Sequence, residues 1–440
     1  MIRKDVGDVM MSEKTLMSLH DDPAVKTVYS WLDDQHMPMI DCVKRWSSIN
    51  SGSLNIAGLA EMQQELISAF AILDCEKEIV ALPDSEYVDA SGATKHRKNA
   101  NLLRFYKRPT ANKKVLLTGH YDTVFGVDHP FQSFCWLDGD ILNGPGVADM
   151  KGGIIIILNA LLALERSPFA DTLGWEVLLS PDEETGSLAS APYLVKRAAD
   201  FDIGLTYEPA MADGTLVGER KGSGNFTVVV KGRAAHAGRE IDLGRNAVVA
   251  LADIIGKLSA LNGEREGLTV NPAVIEGGEA NNIVPDLAIC RFNVRLEKSE
   301  DMVWLDDQLR KIIEPWADKE GYCVTCHGGI NRPPKVLSKA NHELMALIKT
   351  CGELQDLKVE YVATGGCCEG NNLAAAGLPN VDTLGVRGGA IHSAQEFLHS
   401  ESMVERAKLS SLVLMAISIG CFDTVINLKS NDIHAKGIKS

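Results

Sequence analysis

At 440 residues, 45% hydrophobic and 23% charged, the chain is sized for two domains and composed like a soluble globular enzyme, which excludes wholesale disorder. A formal charge of −15 argues against nucleic acid and anionic membrane as partners, because both call for basic surface. The N-terminal stretch "MIRKDVGDVMMSEKTLMSLHDDPAV" lacks the apolar core of a signal peptide, so a cytoplasmic location is expected, with the ten cysteines as thiols.

Residues 20 to 80 read as helices, with apolar positions at helical spacing in "IAGLAEMQQELISAFAIL". A strand and helix alternation follows. "KKVLLTGH" predicts a strand, "MKGGIIIILNALLALERS" a helix, "GWEVLLSPDEE" a strand, "SLASAPYLVKRAA" a helix and "DIGLTYEP" a strand. The apolar run "GGIIIILNALLALE" falls short of the ~20 residues of a membrane span. This alternation predicts an α/β fold with a mostly parallel sheet and helices on both faces.

Near residue 220 the texture changes. "GNFTVVVKGRAAH" and "LAICRFNVRLE" alternate apolar and polar residues like half-exposed antiparallel strands, and "NAVVALADIIGKLSAL" and "MVWLDDQLRKIIEPWADK" read as helices. After "NRPPK" the α/β pattern resumes. The prediction is an α+β module, residues 221–334, inserted into an α/β domain built from 1–220 and 335–440, the domain that would carry any catalytic site at its strand ends. "CVTCH", Cys323 to His327, fits the C-x-x-C-H pattern of haem attachment, yet it also reads as a strand and has no second C-x-x-C. A non-catalytic haem- or metal-binding module is therefore the rival reading from another class.

The polar residues that end the strands carry the chemistry. "LLTGHYDTVFG" closes on His120 and Asp122, "SPDEETGS" on Glu183 and Glu184, and "EP" on Glu208; "NGPGVADMKGG" places Asp149 in a glycine-flanked loop before a helix. In parallel α/β sheets ligands bind at the carboxyl ends of the strands, so these side chains should gather at one edge. Carboxylates that close repel one another, and bound cations relieve the conflict. A histidine among carboxylates, with another histidine later, suits zinc or a similar divalent ion.

With those residues in place the chain resembles the di-zinc peptidase and deacylase family of glutamate carboxypeptidase, succinyl-diaminopimelate desuccinylase, acetylornithine deacetylase and aminoacylase. The motifs that carry the likeness are "GHYDTV", "NGPGVADMKGG", "SPDEETGS", "EP", "GRAAHAG" and "GGAIHS", in the family's order over roughly residues 110 to 400; "GPGVADMKGG" and "DEETGS" lean toward the glutamate carboxypeptidase branch.

The resemblance implies a catalytic domain with an inserted dimerisation domain of four antiparallel strands and two helices, and a homodimer. It implies two Zn²⁺ per subunit, with Co²⁺ or Mn²⁺ as possible substitutes. Asp149 would bridge them, His120 and Glu208 would complete one site, and Glu184 and His392 the other. Asp122 would orient His120, and Glu183 would be the general base. His236 would reach the substrate's carbonyl oxygen from the partner subunit, and Asn282 and Arg332 would hold the substrate's carboxylate. The implied reaction is cleavage of an amide next to a free carboxylate, in a small peptide or an N-acyl amino acid, with a deacylase or desuccinylase as the alternative. Relatives also carry a cis peptide after the bridging carboxylate, here Asp149–Met150. One departure stands out. Where relatives show two small residues and Asp after Gly-Gly, this chain has Cys367, Cys368 and Glu369 in "GGCCEGNN".

Overall fold

The computed structural model describes residues 6–429. Its larger sheet has six strands in the spatial order Glu76–Val80, Leu102–Lys107, Leu173–Ser180, Lys113–His120, Ile203–Thr206 and Asn380–Val381. The last four run parallel, and Leu102–Lys107 runs antiparallel to both of its neighbours. The parallel pairs demand crossovers, which the helices Gly152–Glu165 and Ala191–Ala198 supply. Leu173–Ser180 is buried along its whole length, as is Gly152–Glu165 from Gly152 to Leu164. A helix that is apolar all round belongs inside. It lies against the last long helix, Glu401–Ser418.

Two sequence expectations change here. The helices of the N-terminal region end at Phe70 and a short 3₁₀ turn, Asp74 takes the left-handed conformation (φ 47°), and the chain becomes strand at Glu76 rather than staying helical to residue 80. Counted with the turn before it, the apolar stretch Val147–Glu165 runs to 19 residues and is long and apolar enough to cross a bilayer by length and composition, as is Ile56–Leu73. The first of these is entirely buried within the protein.

The inserted module is a four-stranded antiparallel sheet in the order Thr269–Gly277, Leu287–Leu296, Gly222–Lys231, Cys323–Arg332. Helices Ala247–Ala260 and Glu300–Ala317 cover one face and enclose a separate core around Phe226, Val228, Ile254 and Leu305. On the opposite face Val229 and Ile289 meet Val88, from a hairpin of the larger module, and Arg291 donates to the carbonyl of Val88 at 3.1 Å. That hairpin covers part of a face the alternation alone leaves open. Cys323 and Cys326 lie three residues apart on one strand, which points their side chains to opposite faces. Among the described residues, the groups able to hold a metal ion all include His120 rather than these thiols.

The chain enters the module at Arg220 and leaves it at Lys335, and these residues pair backbone to backbone at 3.0 and 3.3 Å. Both side chains converge on the buried Asp382. Arg220 binds it through two nitrogens, at 3.0 and 2.9 Å, and Lys335 through its ammonium at 2.8 Å.

Candidate metal centre and active site

Three of the expected donors stand where a strand stops. His120 is the last residue of Lys113–His120; Leu173–Ser180 runs into the turn Glu183–Thr185; and Ile203–Thr206 leads to Glu208. Parallel order puts these three ends side by side. Asp149 comes from the turn Val147–Lys151, where the Asp149–Met150 peptide is cis. His392 arrives on the loop before strand Phe397–His399.

The two oxygens of Asp149 face different histidines, Oδ1 lying 3.0 Å from His120 Nε2 and Oδ2 3.2 Å from His392 Nε2. Glu184 is 3.1 Å from His392 Nε2, and Glu208 is 3.7 Å from His120 Nε2. Donor atoms of His120, Asp149 and Glu184 lie within 4.8 Å of one another, as do those of His120, Glu183 and Glu208. Asp122 organises the group from behind. Its carboxylate is 3.3 Å from His120 Nδ1, and it accepts from the backbone N–H of Glu183 (3.1 Å) and Glu184 (3.2 Å) and from Ser53 Oγ (2.7 Å). One buried carboxylate thus fixes the histidine and the turn that carries both glutamates.

The electrostatics fit a cation. Burial pushes the Glu208 carboxyl up to about 7, and burial with Asp149 beside it pushes Glu184 well above the usual range. For Asp149, burial acts upward, but His120 and His392 outweigh it and hold the group well below the carboxylate range. Hydrogen bonds to Asp149 and Glu184 raise His392 to about 11. Acids this crowded in a dry site keep their charge only beside positive charge, and the borderline donor set of imidazole and carboxylate suits a zinc-like ion.

Two buried residues that the sequence did not flag hold the Asp149 loop. Glu396 accepts from the backbone N–H groups of Ala148 (2.9 Å), Asp149 (3.0 Å) and Gly146 (3.2 Å). Lys151 donates to the carbonyls of Trp46 (3.0 Å) and Ile49 (2.9 Å), and burial pulls its ammonium down to about 7. Neither has a local pattern to announce it, since their partners are main-chain groups.

A cavity of about 640 Å³ separates this cluster from the inserted sheet, with Glu183, Glu208 and His392 on one wall and Asn225, Asn293 and Arg295 on the other. Arg295 donates to Asn293 Oδ1 (2.9 Å), to the Gly365 carbonyl (3.2 Å) and to Cys367 Sγ (3.3 Å), and makes no ion pair among the described residues. Sequence reasoning missed it, although the alternation of "CRFNVRL" puts Arg291, Asn293 and Arg295 together on the face away from the module's core. Cys367 lines the cavity. Cys368 is buried and accepts from the N–H of Gly370. Glu369 is buried too, bonded to Ser187 Oγ at 3.0 Å, and burial pushes its carboxyl up to about 8.

The other expected site residues stand differently. Arg332 borders the cavity, is 3% exposed, and its guanidinium binds Glu183, Ser187 and Asn372. His236 and Asn282 are neighbours, with the N–H of Ala237 donating to the Asn282 carbonyl and His236 bridged to Ile283. Both are exposed on the inserted module, and neither lines the cavity of its own chain.

Residues 116–416 match Peptidase family M20/M25/M40. The chain is 30% identical over 321 residues to carboxypeptidase G2 of Pseudomonas sp. (strain RS-16), covering 70% of this chain and 75% of that one. It is 30% identical over 246 residues to a succinyl-diaminopimelate desuccinylase of Corynebacterium glutamicum, covering 51% and 60%. Its fold superposes on an M20 family metallo-carboxypeptidase from Sulfolobus solfataricus with a TM-score of 0.68 at 17% identity, over 87% of this chain and 99% of that one. Fold and strand-end cluster together define a metal-dependent hydrolase. The chain belongs to Peptidase family M20/M25/M40.

Proposed function

We propose that this metallopeptidase cleaves an amide next to a free carboxylate, as a carboxypeptidase on small peptides or N-acyl amino acids. The observation that carries the reading is the metal-capable cluster facing, across one cavity, the guanidinium of Arg295, which is in no ion pair among the described residues. Asp149 would be shared by two zinc ions, His120 and Glu208 would complete one site, and Glu184 and His392 the other; Co²⁺ or Mn²⁺ could substitute. Metals so held supply Lewis acidity toward the carbonyl and lower the pKa of water. Glu183 takes the proton from the attacking water and returns it to the leaving amine. Arg295 offers its positive charge and its remaining nitrogen, Nη2, to the carboxylate, a role that falls to it because the charge of Arg332 is already paired with Glu183. Asn225 and Asn293 beside it favour a polar group in the same part of the cavity.

The proposal includes a homodimer in which His236, with Asn282 beside it, acts on the partner's substrate. The exposure of both supports it, as does the free edge strand Thr269–Gly277, whose Val274 and Ile275 are exposed. A second reading, an N-acyl amino acid deacylase or desuccinylase, uses the same residues and differs in the acyl part accepted; the match to a desuccinylase favours keeping it.

The test is a screen of dipeptides, N-acyl amino acids and their carboxamides on purified protein with zinc, cobalt and manganese supplied in turn. Metal-dependent hydrolysis that prefers the acid over the carboxamide, with the preference lost in Arg295→Ala, is the expected outcome. Hydrolysis indifferent to the carboxylate overturns the assignment of Arg295.

A further inference from the structure

We infer that Arg332 is a positioning residue for Glu183, and that it makes the orientation of the base conditional on the inserted module closing over the metal cluster. The inference rests on the reading of Glu183 as the general base. Arg332 ends the strand Cys323–Arg332, the last of the inserted module. Its backbone pairs with Ser223 of its own sheet, but its side-chain hydrogen bonds all go to the other module. Nη1 donates to Asn372 Oδ1 at 2.7 Å, and Nη2 donates to Glu183 Oε1 at 2.5 Å, to the Glu183 carbonyl at 3.2 Å and to Ser187 Oγ at 3.0 Å.

Bidentate capture of a ligand carboxylate needs two parallel N–H groups free at once. Here both terminal nitrogens are engaged and the side chain is sealed from solvent. What the guanidinium does hold is the base itself, at side chain and main chain together. Glu183 also places a carboxylate oxygen within 4.8 Å of the donor atoms of His120 and Glu208, so the same group faces the metal cluster and the tip of the inserted module. A carboxylate on a turn has free torsions, and a charge-assisted bond to it selects the rotamer in which it can reach the attacking water. Lifting the module withdraws Arg332, and the base loses its orientation with it.

The test is a double-mutant cycle with Arg332→Gln and Glu183→Gln on metal-loaded full-length protein, using the best substrate from the screen. Misplacing a catalytic group by about 1 Å costs on the order of 10²-fold. Arg332→Gln should therefore lower kcat by ~10- to 100-fold with KM within about threefold, and should add nothing once Glu183 is Gln. Arg332→Lys should keep part of kcat, since an ammonium can still reach one oxygen of Glu183. L-glutamate, used as a carboxylate probe in calorimetry, should bind wild type and Arg332→Gln alike. A KM rise with unchanged kcat, effects that multiply in the cycle, or glutamate binding tenfold weaker in Arg332→Gln would each assign Arg332 to the ligand and overturn the proposal.

If Arg332→Gln fails to fold, Arg332→Lys is read by the same split between kcat and KM. A wild type inert on every substrate refutes the hydrolase reading alone. Amide hydrogen exchange over residues 183–187 then decides the role of Arg332. Exchange at least tenfold faster in Arg332→Gln at unchanged metal content supports the positioning contact, and unchanged exchange overturns it.

Discussion

Glu396→Ala should loosen the metal centre from behind without touching a donor atom. The carboxylate of Glu396 is fully buried and accepts three backbone N–H bonds from the loop that presents Asp149, two on Oε1 and one on Oε2. It sits four residues after His392, so one side chain ties together the two loops that bring these donors. Alanine leaves three buried N–H groups without acceptors, each costing ~1–3 kcal/mol, and partial relaxation with water entry should bring the sum to about 3–5 kcal/mol. Glu396→Gln keeps an amide oxygen for Ala148 and Asp149 but turns an NH₂ toward the Gly146 N–H, so one mismatch remains, worth about 1–3 kcal/mol. Groups that orient a ligand typically carry ~10- to 100-fold in metal affinity, and Glu396→Ala should lose that much. Urea unfolding followed by circular dichroism gives the first quantity, and competition against a chromophoric chelator the second. Stability within about 1 kcal/mol of wild type, together with unchanged metal affinity, would refute the claim that Glu396 holds the loop.

Three further outcomes follow from the same geometry. Glu183→Gln should cut turnover by ~10²- to 10⁴-fold while metal content per chain stays at the wild-type value, as the proposed role of base rather than ligand requires; activity within tenfold of wild type contradicts this. Mixing inactive Glu183→Gln with inactive His236→Ala chains should restore part of the activity through heterodimers, and no recovery after confirmed subunit exchange would place His236 within its own chain or outside the reaction. Asp382→Asn should cost about 3–5 kcal/mol, since it leaves Arg220 and Lys335 buried without their counter-charge. Burial acts to raise the Asp382 carboxyl, but Arg220 and Lys335 outweigh it and hold it below the ordinary range. Its contribution is therefore complete above the unfolded value of about 3.9 and is lost as pH falls through the lower folded value, so the wild-type urea midpoint should drop below about pH 4 more steeply than that of Asp382→Asn.

The donors were legible because each marks a change of texture. His120, Glu183 and Glu208 follow apolar strand runs, and a parallel sheet brings such ends to one edge whatever lies between them in sequence. The strands Glu76–Val80 and Leu102–Lys107 were hidden for the opposite reason. The first is an exposed edge rich in charge, "EKEIV", and has no apolar period to read. Glu396, Lys151 and Asp382 escaped because burial and partner give them meaning, and their partners are main-chain groups or residues distant in sequence. Arg332 was visible as a residue but not as a contact, since Glu183 is 149 positions away. Arg295 shows the intermediate case, with a face readable from alternation and a cavity that only the packing of two modules creates.

These long-range contacts do for the module boundary what the strand ends do for the metals. The crossing strands are paired at Arg220 and Lys335 and fastened to Asp382, and Asp382 lies two residues beyond Asn380, whose strand pairs with Ile203–Thr206, the strand that leads to Glu208. The hinge is thus anchored in the sheet that carries the donors. From that anchor the last strand of the module runs up to Arg332, three residues before Lys335, and Arg332 grips Glu183. Buried charge on a hinge costs desolvation that an apolar contact would avoid, so its use here needs a reason other than stability. Charged pairs of fixed geometry set one closing angle, whereas apolar surfaces slide. On the proposed reading of Glu183 as the base, that angle would set its orientation as well, through the contact with Arg332.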